Sequence, residues 1–110
     1  MVILISKYLV PNGYMGMTVF PFLLLKSKTL KENRVLINHE KIHLKQQLEL
    51  LIIPFFVIYV LEFYIRLLQY KNRKMAYRNI SFEREAFENE KDLNYLKKRP
   101  FWNFIGYYSF

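Results

Sequence analysis

Cysteine is absent from this 110-residue chain, which excludes disulfides and thiolate metal sites alike. Any metal bound here has to be held by imidazole and carboxylate. Histidine is nearly absent too, with two in the whole chain. Acidic residues are scarce: nine Asp and Glu stand against 17 Lys and Arg, for a net charge of +8. The sequence shows no internal repeat and no disordered linker. Its opening Met1-Val2-Ile3-Leu4-Ile5 lacks the basic n-region and the small-residue site of a cleavable signal peptide. The length fits a single domain over residues 1–110.

What is present is apolar and basic. Hydrophobic residues make up 53% of the chain and aromatics 18%, more than so short a chain can bury as a monomer. The surplus is expected to meet lipid, a partner chain or a substrate groove. The basic residues fall into three groups: Lys26, Lys28, Lys31 and Arg34; Lys71, Arg73, Lys74 and Arg78; Lys97, Lys98 and Arg99. They flank long apolar runs, a pattern that favours an anionic membrane surface over nucleic acid.

Residues 2–10 are rich in β-branched and aromatic types and end at the turn signal Pro11-Asn12-Gly13, after which residues 14–25 resume an apolar run. This pattern predicts a β-hairpin, with Pro21 placing the second strand at a sheet edge or a bulge. Residues 8–25 are uncharged and long enough to span a bilayer, but their prolines and glycines argue against a regular helix. Thr29-Leu30-Lys31-Glu32 has the form of a capping box, with Asn33 an alternative N-cap. A helix should follow, ended or kinked by Pro54. Residues 50–61 are apolar all round, and Glu62, Arg66, Gln69 and Arg73 then form a polar stripe at helical spacing. That helix reads equally as buried, interfacial or spanning. Residues 80–98 read as a third helix, and the aromatic tail 100–110 as either a membrane-interface segment or an arm packed over the core. The expected fold is α+β, mainly α. It consists of an N-terminal β-hairpin or edge strand (1–28), a helical core of about three helices (29–99) and an aromatic C-terminal arm (100–110).

Both histidines lie in His39-Glu40-Lys41-Ile42-His43. On a helix this spacing puts the two imidazoles on one face, one turn apart, where they can chelate a single ion. Glu40 stands about 100° round the helix from His39, too far to be a ligand. It remains near enough to take a proton from an activated water, which is the logic of metal-assisted hydrolysis.

With Ser81-Phe82-Glu83-Arg84-Glu85-Ala86-Phe87 downstream, the chain resembles the gluzincin metallopeptidases. These pair a His-Glu-x-x-His helix with a later helix bearing Glu-x-x-Ala. The likeness extends to small bacterial proteins reading Leu-x-x-His-Glu-x-x-His-x-x-Gln, matched here by Leu36, His39, Glu40, His43 and Gln46, with Gln47 following. It is also similar to the membrane prenyl-protein proteases with their bacterial heat-shock relatives, and to BlaR/MecR-type peptidase domains. The resemblance covers about residues 15–90. It implies one zinc ion per chain held by His39, His43 and Glu83, with Glu85 as the alternative third ligand and Glu40 as general base. It further implies an endopeptidase acting on a peptide or protein substrate at the bacterial cytoplasmic membrane, the substrate pairing with an edge strand in 14–25. So small a chain would draw on a partner domain or a homo-oligomer to deepen its cleft. The Asp that often follows the family's Ala is Phe87 here, so another group would have to orient a histidine. Tyr77 and Arg78 have chemistry suited to an oxyanion. Two other classes fit the same residues: a non-catalytic zinc-binding protein, and a small basic membrane protein acting by interaction alone.

Overall fold

A computed structural model describes residues 2–108; Met1 and the tail residues Ser109 and Phe110 lie outside the described residues. The fold is α+β and mainly α, a small sheet followed by a helical body. The three strands are β1 (Val2–Ile5), β2 (Gly16–Val19) and β3 (Phe22–Leu25), in the order β1-β3-β2. The hairpin is therefore not the one read from Pro11-Asn12-Gly13. β2 and β3 form the antiparallel pair, joined at Phe20-Pro21, while β1 lies parallel to β3 on its other side. Composition explains the rearrangement. Leu23, Leu24 and Leu25 form a continuous apolar run without alternation, which suits the central position, and all three are buried. Pro21 falls in the turn, where no ladder donor is missed. β2 occupies an edge, but Pro21 lies outside it, and the strand that follows Pro21 is the central one.

Asn33 starts α1 (Arg34–Glu49), its side chain accepting from the Leu36 amide at 3.0 Å. The Thr29–Glu32 box instead lies in a preceding 3-10 turn. Pro54 does not kink α1. It stands in the first turn of α2 (Ile53–Tyr70), where its missing N–H costs nothing. Between the helices Ile52 sits at φ 66° and ψ −69°, and the Ile53 amide donates to the Leu51 carbonyl at 2.7 Å. That is a γ-turn of the rare, strained hand.

Beyond α2 come α3 (Arg73–Arg78), α4 (Ser81–Asn89) and the short α5 (Tyr95–Lys98). The expected single helix over 80–98 is broken because the Asn38 side chain, from α1, donates to the carbonyls of Asn89, Glu90 and Asp92. One core cluster joins Phe55 of α2 with Ile80, Phe82 and Phe104; another joins Ile42 of α1 with Ala86 and Tyr95. Of the polar stripe, Glu62 and Arg66 face inward, while Gln69 is exposed and Arg73 lies exposed at the start of the next helix. Glu62 accepts from the Ser81 amide and hydroxyl at 2.7 Å each, capping α4, and Arg66 is fully buried. The outward face of α2 is consequently apolar, with Ile53, Val57, Val60, Leu61, Tyr64 and Leu68 exposed.

The C-terminal arm packs on the body through Phe104, and the Tyr107 carbonyl accepts from Arg84. Arg99, read with the basic groups, is not a surface cation. Its side chain is buried between Glu49 and Glu85.

Candidate metal centre

The i, i+4 spacing on α1 turns His39 and His43 toward α4, where Glu83 lies in the first turn. The Glu83 Oε1 atom is 3.1 Å from His39 Nε2 and 2.9 Å from His43 Nε2, and the two Nε2 atoms are 3.2 Å apart. The three side chains form a buried group that could hold a metal ion. Glu85, the alternative third ligand, is directed elsewhere. Its carboxylate accepts from Gln46, Tyr95 and Arg99.

The surrounding hydrogen bonds determine which atoms face the centre. His39 Nδ1 lies 2.9 Å from a Glu90 carboxylate oxygen, so it carries a proton and donates. Gln46 spends its amide N–H groups on the Phe82 carbonyl and Glu85, so its oxygen accepts from His43 Nδ1 at 2.8 Å. In their neutral forms both imidazoles then present a lone pair at Nε2, toward each other and toward a carboxylate. Three such acceptors meeting this closely need a metal cation or a proton between them. Donors around a tetrahedral zinc ion stand about 3.3 Å apart, close to the spacing seen. The donor set therefore fits.

Without an ion, a proton on His43 takes that place, donated to Glu83. Burial lowers the His43 imidazole, but the adjacent Glu83 carboxylate outweighs it and pushes it up to about 9. Burial raises Glu83, yet His43 and His39 together hold it well below the usual carboxylate range. The other Glu83 oxygen accepts from the Tyr59 hydroxyl at 2.6 Å.

Glu40 stands beside this group without joining it. Its Oε1 accepts from the Thr18 hydroxyl of β2 at 2.8 Å, and the same hydroxyl lies 3.0 Å from the Glu40 carbonyl. Its Oε2 borders Gly16, where an added Cβ would come within 3.5 Å of it. Burial pushes the Glu40 carboxyl up, against the pull of His43, His39 and the Thr18 hydrogen bond.

Phe87 packs edge-on against His39 at 4.5 Å between ring centroids, so at this position the imidazole gains a ring contact instead of a hydrogen bond. Glu90 supplies the hydrogen bond from the helix end. Tyr77 packs edge-on against both Tyr14 and Phe87, and burial, with Glu83 and Glu40 nearby, pushes its phenol far up, keeping it a proton donor. Arg78 lies 3.8 Å over the Phe87 ring on the outer side. Sequence reasoning missed Glu90, Tyr59 and Thr18. Glu90 was one acidic residue among several, and the other two carried no spacing signal.

No family model, curated protein or solved structure matches this chain.

Proposed function

We propose that this chain is a zinc-dependent peptidase working at a membrane. The observation that carries the reading is the convergence of His39 Nε2, His43 Nε2 and Glu83 Oε1 within one buried group, beside a separately held Glu40. Two imidazoles and one carboxylate suit zinc, with a further coordination position left for substrate or water. When bound, the ion supplies Lewis acidity, polarising a carbonyl and acidifying a water.

The chain's own residues supply the rest. Glu90 and Gln46 fix the tautomers and ring planes of the two histidines. Thr18 fixes one Glu40 oxygen, which leaves Oε2 to take a proton and return it to a leaving amine. Tyr77, held protonated, is a donor for negative charge developing on a carbonyl oxygen. The outward apolar face of α2, followed by exposed Lys71, Arg73 and Lys74, gives lipid an apolar stripe with a cationic end. α2 is also long and apolar enough to cross a bilayer.

A second reading, a metal staple between α1 and α4 without turnover, draws support from the burial of the three ligands, each 3–6% exposed. Glu40→Gln separates the two. The peptidase reading expects metal retained and cleavage of a broad peptide library abolished; a wild type that binds zinc yet cleaves nothing favours the staple.

A further inference from the structure

We infer that Gln47 determines specificity by ending the peptide-binding edge of β2, so that the substrate is the end of a peptide chain rather than an internal stretch. This rests on the peptidase reading and narrows its substrate class.

The argument begins at the strand. Met15 accepts from Lys26 at 2.9 Å, which makes Met15–Lys26 a hydrogen-bonded pair of the β2–β3 ladder. By alternation, Met17 and Val19 point their backbone groups at β3, and Gly16, Thr18 and Phe20 point theirs at the free edge. That outer edge is already occupied at one end. The Gln47 amide donates to the Thr18 carbonyl at 2.8 Å and accepts from the Phe20 amide at 2.7 Å. A single side chain thereby fills the positions a neighbouring strand would use, and it is fully buried there. Among the described residues no side chain meets the outward amide and carbonyl of Gly16. This open stretch borders Glu40 Oε2.

An extended peptide can thus pair with Gly16 directly beside the proposed base, but it cannot continue along β2 past Thr18. Gln47 lies four residues after His43 on the same face of α1, one turn or about 5.4 Å further along. At about 3.3 Å per extended residue, that distance holds about two residues of substrate on the closed side. The scissile bond accordingly lies about two residues from a chain end.

The test uses zinc-loaded full-length protein, its metal content measured separately, and a ladder of unstructured peptides from short to long, with cut positions read by mass spectrometry. Cuts within two residues of one end are expected, on the same end in every peptide. Gln47→Ala, checked for folding by circular dichroism, should raise internal cleavage about tenfold by freeing two backbone pairing groups. Predominantly internal cuts by the wild type would overturn the inference, as would an unchanged cut distribution in folded Gln47→Ala. Hydrogen exchange on Glu40→Gln with a short peptide gives a readout independent of turnover. Protection of the Gly16 amide with no cleavage by the wild type would reject the peptidase reading and keep the edge assignment. No protection would reject the edge assignment.

Discussion

At the scale of single residues, the candidate site depends on groups that orient the ligands as much as on the ligands. Glu90 holds His39 through Nδ1, while Phe87 offers that imidazole only a ring contact. Glu90→Ala is expected to weaken zinc binding by about 10- to 100-fold, measured by competition with a chromophoric chelator; an unchanged affinity would remove Glu90 from the account. Legibility at this scale followed sequence distance. His39, Glu40 and His43 were readable because helical spacing alone places them. Glu83 came from resemblance, and the geometry brings it, not Glu85, to the histidines. Glu90, Tyr59 and Thr18 reach the site from 51, 24 and 22 residues away from the groups they bind, and no local pattern encodes such pairings.

At the scale of elements, two joints carry testable consequences. Glu62 reaches from α2 to cap α4, the helix that bears Glu83. Removing it leaves a buried amide and hydroxyl without their acceptor, so Glu62→Ala should cost about 2 kcal/mol in a denaturant titration. The γ-turn at Ile52 puts a β-branched side chain at positive φ, which glycine would tolerate without strain. Ile52→Gly is expected to stabilise the fold by about 1 kcal/mol, read by the same titration; a loss would show that the Ile52 side chain contributes more than its backbone costs. The two long helices were legible from periodicity, because α1 and α2 are long enough for the pattern to repeat. Strand pairing was not. Turn residues at Pro11-Asn12-Gly13 pointed to one hairpin, whereas burial of Leu23, Leu24 and Leu25 put β3 in the centre with a parallel neighbour. The break after Asn89 was equally hidden, since it depends on Asn38 from another helix.

At the scale of the whole molecule, the net charge of +8 and the exposed apolar face of α2 are expected to act together at an anionic lipid surface. Glu62 and Arg66 turn inward, so nothing charged interrupts that face between Ile53 and Leu68. The protein is expected to float with vesicles containing anionic lipid and to bind less as salt rises. Leu61→Lys, on the outward face, should weaken vesicle binding while leaving zinc content unchanged. Equal flotation of wild type and variant would argue that another surface makes the contact. The apolar surplus was visible in composition, but its location was not, because the same stripe of Glu62 and Arg66 fits either a solvated or a core-facing side.

The claim on which the rest depends is the metal centre, and elemental analysis of purified protein tests it most directly. The account predicts about one zinc per chain in the wild type, lost in both His39→Ala and Glu83→Ala. A wild type that takes up no metal after zinc loading at neutral pH would contradict it, and so would Glu83→Ala retaining a full equivalent.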